Sequence, residues 1–296
     1  MADGKHCLLL CQSPTFTLTL TRHPVKKFIP EIESSGLSVI GPIREDNQDS
    51  IHLSNNERPV GSGFLYALAD GMGGYAHGGL ASQLALESFF SVLSAHNGSP
   101  IHRTLERGVE AANLQVYQKA RQLDAGRMGT TLTGAYVFGD MLYLAHVGDS
   151  RAYLIRDGHP ICLTSDHTTV GDMVRAKLIP SEKIRSHAQR SVLTKSIGTS
   201  LFVQPDIIQK KLREGDRLIL CSDGVWSVLE DEAFAQVTNE ASSIDEISQN
   251  LIDLALENDT DDNASVIAFH LRKLIPAAVE QESSNGWFQK LRKFVS

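Results

Sequence analysis

Cysteine is scarce in this 296-residue chain: Cys7, Cys11, Cys162 and Cys221 are scattered, and no second ligand pair follows Cys7 and Cys11. Ordinary thiols are expected rather than a thiolate metal site. Positive charge is in deficit, with 28 Lys and Arg against 35 Asp and Glu, a net −7 that argues against a nucleic-acid surface. Long apolar runs are missing too. No block reaches the roughly 20 residues that span a bilayer, and CLLLC near the start is too short for a signal-peptide core, with no A-x-A-like site after it. A soluble, cytoplasmic protein is the expectation, with a monomer favoured. There is no internal repeat and no low-complexity stretch long enough to be a linker. Several catalytic signatures are absent as well, among them G-x-S-x-G, H-E-x-x-H and Walker A. Cys221-Ser-Asp-Gly-Val-Trp-Ser227 has the reach of a cysteine-phosphatase loop but lacks the arginine that would bind phosphate.

What is present is a set of aspartates at the ends of apolar runs. They are Asp49 in REDNQDS, Asp70-Gly71 after FLYALA, Asp166 in LTSDHT, Asp223-Gly224 after RLILCS, and Asp262-Asn263 before ASVIAF. A carboxylate at a strand terminus leaves the sheet at a fixed place, and several converging at one end would repel one another. Hard divalent cations such as Mg²⁺ and Mn²⁺ relieve that repulsion, because they take oxygen ligands and few dedicated carboxylates plus water. Gly71 can offer an unobstructed carbonyl oxygen to a second cation.

Strands are expected at 16–21, 36–40, 50–53, 64–69, 131–138, 141–146, 152–156, 217–221 and 264–270, where apolar residues alternate or run together. Turn chemistry at Val137–Met141 and Ile155–His159 predicts hairpins, which force antiparallel pairing. Helical spacing occurs over Leu80–Val92 and Leu105–Ala120, two consecutive helices that should pack on one sheet face. Further helices are expected at 170–179, 192–197 and 244–256, with a short one opening at Asp231. Hairpins interspersed with helix pairs imply an α+β fold, two antiparallel sheets with helices outside, rather than βαβ alternation. Residues 1–13 read as an extension, 14–272 as the main domain, and 273–296 as a tail. That tail carries a short basic amphipathic segment around Trp287, Phe288, Leu291 and Phe294.

Asp70-Gly-Met-Gly-Gly-Tyr-Ala76 formally satisfies a dinucleotide-binding fingerprint. An aspartate closing the strand would repel a pyrophosphate, however, and the position about 20 residues on falls in a helix rather than at the end of a second strand. Asp149, in Val147-Gly-Asp-Ser-Arg151, is either a partner of Arg151 or an outer acceptor at the metal site. Arg44 can take a phosphoryl group in bidentate fashion, or else pair with Glu45 or Asp46. His6, His102 and His270 read as ordinary histidines, whereas His77 and His187 lie near candidate site segments.

Together, Arg44-x-x-Asn47-x-Asp49, Asp70-Gly-Met-Gly-Gly74, Gly129-Thr-Thr131, Val147-Gly-Asp-Ser-Arg151, Leu163-Thr-Ser-Asp-His167, Ser222-Asp-Gly224 and Asp262-Asn263 resemble the type 2C metal-dependent serine/threonine protein phosphatases, the bacterial branch above all. The resemblance covers about residues 36–270. It implies a four-layer α-β-β-α sandwich with the metals at one end between two mostly antiparallel sheets. It implies that Asp70 bridges two Mn²⁺ or Mg²⁺ ions with the Gly71 carbonyl on the second, that Asp223 and Asp262 hold the first, and that Asp49 acts directly or through water. Asp166 with Asp223 would bind a third, weaker ion. Arg44 matches the phosphate-binding arginine, and 168–196 the flap bordering the substrate cleft. A hydroxide shared by the two core ions would attack phosphoserine and phosphothreonine proteins, among them a cognate kinase and its targets. Met72 stands where eukaryotic relatives place a histidine proposed as general acid, with His77 a weak substitute. The alternative is a signalling module that keeps the scaffold and binds a partner; it predicts lost ligands, and none is lost.

Overall fold

Runs such as Phe64-Leu-Tyr-Ala-Leu-Ala69 are apolar without interruption because their strands are covered on both faces. The computed structural model describes residues 28–54, 60, 63–73, 77–96 and 98–277. One sheet runs in the order β1 (Phe28–Val39), β11 (Ala264–Pro276), β10 (Arg217–Cys221), β7 (Arg151–Arg156), β8 (His159–Cys162). The other runs β2 (Asp49–Leu53), β3 (Phe64–Met72), β5 (Leu132–Phe138), β6 (Met141–Val147), β9 (Asp206–Lys211), with the short β4 (Gly129–Thr130) beside the end of β3. Every pairing is antiparallel, as the hairpin chemistry requires.

The two-residue period of the strands sorts side chains into three cores. Along β3, Phe64, Tyr66 and Leu68 enter the core between the sheets, while Leu65, Ala67 and Ala69 meet the helices α1 (His77–Ser94) and α2 (Ile101–Gln122). Along β10, Leu218 and Leu220 face the other sheet, and Ile219 and Cys221 meet the outer helices α5 (Asp231–Glu240) and α6 (Ile244–Glu257). The expected α-β-β-α sandwich is what forms. α1 and α2 share one face as predicted, and α6 is capped at its start, where Ser243 Oγ accepts from Glu246 N and the Glu246 carboxylate accepts from Ser242 N.

Several expectations need correction. The helix read over 170–179 is the shorter α3 (Thr169–Arg175), because Lys177 adopts a left-handed conformation at φ 57 and Pro180 follows. No helix forms over 192–197: Val192 O accepts from Thr169 N, and Ile197 exchanges backbone bonds with Thr130, so long-range pairing overrides local spacing. The hairpin predicted at Ile155–His159 is completed by β8, whereas β9 carries no strand signal; both are sheet edges, one carrying Pro160 and the other mostly polar. A short helix, α4 (Asp223–Trp226), follows β10 directly. β11 pairs with β1 as far as Pro276, beyond the domain limit read at Arg272. The strand over 16–21, the 1–13 extension and the amphipathic tail lie outside the described residues. Among those described, no helix is long and apolar enough to cross a membrane.

Candidate metal centre and active site

Strand registers bring the acids together. Asp49 opens β2 and Asp70 sits near the end of β3, and the two are direct cross-strand partners. Cys221 at the end of β10 pairs with Val266 of β11, which sets Asp223 and Asp262 at the same end. The chain crosses from one sheet to the other there, from β6 to β7 through Gly148-Asp149-Ser150, so Asp149 joins them. An open cavity of about 600 Å³ results, lined by Asp70, Gly71, Asp149, Asp223, Asp262 and, at its rim, Arg44.

Backbone and hydroxyl contacts hold these side chains in place. The Asp70 peptide donates through its N–H to Thr131 Oγ1 (2.9 Å), and its carbonyl accepts from Thr130 Oγ1 and Thr131 N, both at 2.8 Å. Asp49 Oδ2 accepts from Ser265 Oγ at 2.6 Å, Ser265 shares a hydrogen bond with Ser38 (2.7 Å), and Asn47 Nδ2 donates to Ser38 (2.8 Å). Asn263 accepts from Gln48 N and donates to Asp46 O, tying the loop before β2 to the start of β11. The two Asp-Gly pairs have a reason beyond a clear carbonyl. A Cβ on Gly71 would stand 2.1 Å from Gly78 O, and one on Gly224 2.1 Å from Asn263 O. Gly71→Ala should therefore lower the melting temperature through a loss of about 1–3 kcal/mol, and weaken divalent-ion binding with it, as calorimetry would record.

The electrostatics demand a cation. Burial, then repulsion from Asp49, Asp223, Asp149 and Asp262, holds the Asp70 carboxyl well above its ordinary range. Asp49 is pushed up to about 7, first by burial and further by Asp223 and Asp262, against the opposing Ser265 and Ser222 hydrogen bonds. Asp223 rises to about 6 from burial and Asp262, and Asp262 and Asp149 rise also, burial leading in each. Asp70 and Asp223 line the same cavity, and each bears on the other's protonation. Asp223 Oδ1 is buried without a hydrogen-bond partner. These are hard oxygen donors, and they fit Mg²⁺ or Mn²⁺. Among the described residues no three Asp, Glu, His or Cys side chains form a ready-made cage for one ion.

Other expected residues fall elsewhere. Asp166 is not at this cavity: both its oxygens accept from Arg151, Oδ1 from Nε at 3.0 Å and Oδ2 from Nη2 at 2.7 Å, and it lines a separate pocket beneath residues 171–185. Arg151 thus pairs with Asp166 and not with Asp149, and Asp149 faces Asp223 instead, its leading charge neighbour. Arg44 pairs with neither Glu45 nor Asp46 but donates from Nη2 to Asp262 Oδ2 at 2.6 Å and from Nε to Asp261 O at 3.1 Å. His77 starts α1 and His187 accepts from Gln189 N in the flap; neither lines the cavity, whereas Met72 does. Ser265 and Ser38 were not foreseen, and nothing local in the sequence marks them.

The protein phosphatase 2C family profile matches residues 44–254. The chain belongs to that family. A type 2C phosphatase of Streptococcus pyogenes is 34% identical over 239 residues, covering 78% of this chain and 94% of the relative. The serine/threonine protein phosphatase PstP of Mycobacterium tuberculosis is 36% identical over 228 residues, 77% of this chain but only 42% of PstP. Among solved structures, the S. agalactiae serine/threonine phosphatase superposes with a TM-score of 0.76 at 34% identity, over 82% of this chain and 100% of that one. The PstP catalytic domain in complex with two manganese ions gives 0.72 at 31% identity, over 82% and 99%. This phosphatase is a metal-dependent serine/threonine protein phosphatase of the bacterial type 2C branch, using Mn²⁺ or Mg²⁺. The Rossmann alternative is excluded by the antiparallel neighbours of β3.

Proposed function

We propose that Asp70, Asp223 and Asp262, with the Gly71 carbonyl, hold the two core cations, and that Asp49 supports Asp70 from behind, through water. Asp149, rather than Asp166, would share a third ion with Asp223. The observation that carries this assignment is the buried, unpartnered Asp223 Oδ1 in a cavity where Asp70, Asp149, Asp223 and Asp262 converge from four separate strand ends and crossings. When bound, the cations supply a Lewis acid and a water whose pKa lies near neutrality. The remaining work belongs to side chains of the chain itself.

Before any cation enters, the cavity offers a phosphate dianion only carboxyl groups, several of them held protonated by burial and mutual repulsion, so the dianion is admitted only to the loaded protein. Arg44 supplies positive charge at the rim. Its contacts to Asp261 and Asp262 use Nε and Nη2 and leave Nη1 for a phosphoryl oxygen, where charge-assisted bonds are strong. With Met72 where a histidine could act, and no imidazole among the described lining residues, the leaving seryl or threonyl oxygen takes its proton from water. The substrates are phosphoserine and phosphothreonine proteins, a cognate serine/threonine kinase among them.

The test is hydrolysis of phosphoserine, phosphothreonine and phosphotyrosine peptides with and without Mn²⁺. Turnover of the first two only, and only with metal, is expected; metal-independent turnover would refute the assignment. Arg44→Ala should lower kcat/KM by roughly 10–100-fold, since a hydrogen bond to a charged group contributes about 1.5–3 kcal/mol.

A further inference from the structure

The flap, 168–196, is closed at its neck by backbone contacts: Thr169 N to Val192 O at 2.9 Å and Thr194 N to His167 O at 2.8 Å. Its middle is held by one side chain. Arg185 Nε donates to Trp226 O and Leu229 O, each at 3.0 Å, Nη2 to Asp231 Oδ1 at 2.6 Å, and Nη1 lies 3.0 Å from Glu230 Oε2. A planar guanidinium that meets two carbonyls and two carboxylates at once fixes position and angle together. Ile184 beside it packs on the core between α5, α6 and their sheet.

The residue on which Arg185 rests also reaches the metal centre. Trp226 is buried, its ring lies 3.6 Å from the Arg151 guanidinium, and its indole Nε1 donates to Asp149 O at 2.8 Å. The peptides around Asp149 are held at two further points. Gly148 N donates to His167 Nδ1 at 3.1 Å, and Ser150 Oγ shares a hydrogen bond with Thr131 Oγ1 at 2.8 Å. Two of these three supports, Trp226 and His167, are themselves anchored to the flap.

We infer that Arg185 is a positioning residue: it seats the flap on the Trp226 carbonyl and thereby, through the indole N–H, fixes the Asp149 carboxylate that faces Asp223. Flap position and the affinity of the Asp149 cation site are then one coupled property. Substrate that shifts the flap alters this site, and ion binding stiffens the flap in return, since coupling of two binding events is reciprocal. The inference rests on the assignment of Asp149 to a cation site.

The test uses the full chain. Mn²⁺ binding is followed by electron paramagnetic resonance of the free ion, and amide hydrogen exchange is read at 181–190 and 148–150. Arg185→Ala should quicken exchange in both segments and weaken the weakest Mn²⁺ site about tenfold, the usual scale for a lost supporting contact. Trp226→Phe keeps an aromatic ring beside Arg151 and the backbone carbonyl on which Arg185 rests, and removes the indole N–H with part of the buried ring, so it should weaken the same site with little change at 181–190. Arg185→Lys should recover part of the affinity. The coupling is overturned if Arg185→Ala loosens 181–190 while 148–150 and every Mn²⁺ affinity stay as in wild type. Wild-type protein that binds no Mn²⁺ overturns the metal-centre reading instead, and unaltered exchange at 148–150 in Arg185→Ala then overturns the coupling separately.

Discussion

Asp70→Asn and Asp223→Asn should each reduce Mn²⁺-dependent turnover by about three orders of magnitude or more, because the cations supply several kcal/mol of barrier lowering. The same substitutions should raise the stability of the metal-free protein. Asp49 and Asp70 face each other across a strand pair, and like charges so placed are destabilising. Removing one charge from the cluster relieves repulsion that burial intensifies. Thermal unfolding without metal should therefore show a higher melting temperature in the variants. Mn²⁺ at a hundred times its dissociation constant should stabilise wild type by about 2.7 kcal/mol and the variants far less. Unchanged turnover in both variants would contradict the metal-centre assignment.

The pH dependence of the metal-free protein follows from the same acids. Asp49 titrates at about 7 when folded and Asp223 at about 6, against an ordinary 3.8. The folded state thus keeps protons that the unfolded chain releases from about pH 3.8 upward. The stability that Asp49 and Asp223 contribute as neutral carboxyls is fully present below that value and is lost as pH rises through about 6 and 7. Mn²⁺ should flatten the curve, because it takes over the neutralisation. A metal-free protein whose stability rises across this window would contradict the raised values.

Asp166→Ala should destabilise the protein by about 3–5 kcal/mol, as expected when one partner of a buried ion pair is removed, while leaving Mn²⁺ affinity near wild type. The pair is almost wholly buried, with side-chain exposures of 7% for Arg151 and 3% for Asp166. Arg151 also stacks on Trp226 and donates to Tyr153 Oη. Losing Asp166 strands the guanidinium, with Asp231 only at 3.7 Å and half-exposed. A double variant with apolar residues at both positions should recover much of the loss, since matched apolar replacements of buried pairs are often neutral. Chemical denaturation separates the outcomes: loss of Mn²⁺ binding without loss of stability would return Asp166 to the metal centre.

The strands that carry the site were legible because each is a run of apolar residues with a period or a turn at its end. Phe64–Ala69, Arg217–Cys221 and Ala264–His270 all lie within observed strands, and the acids beside them lie at one cavity. Edge strands were less legible. Asp206–Lys211 is polar on its open side and Pro160 interrupts β8, so neither shows the signal that double burial produces. The stretch 192–197 misled because its spacing is helical, while its backbone partners lie at Thr130 and Thr169.

Asp149 and Asp166 mark the limit. Each is an aspartate near a strand end, and nothing local in Val147-Gly-Asp-Ser-Arg151 or Leu163-Thr-Ser-Asp-His167 says which of the two pairs with an arginine. The difference lies in the crossing from β6 to β7, which puts Asp149 beside Asp223, and in Arg151 at the start of β7, whose fork reaches Asp166 just beyond the neighbouring strand β8. Composition and local pattern alone determined that acids would gather at strand ends and require hard cations, since both follow from residue type and period. Which acids line the cavity, and which is spent on an arginine, was decided only by tertiary structure, because that choice depends on angstrom-scale separations between segments far apart in the chain.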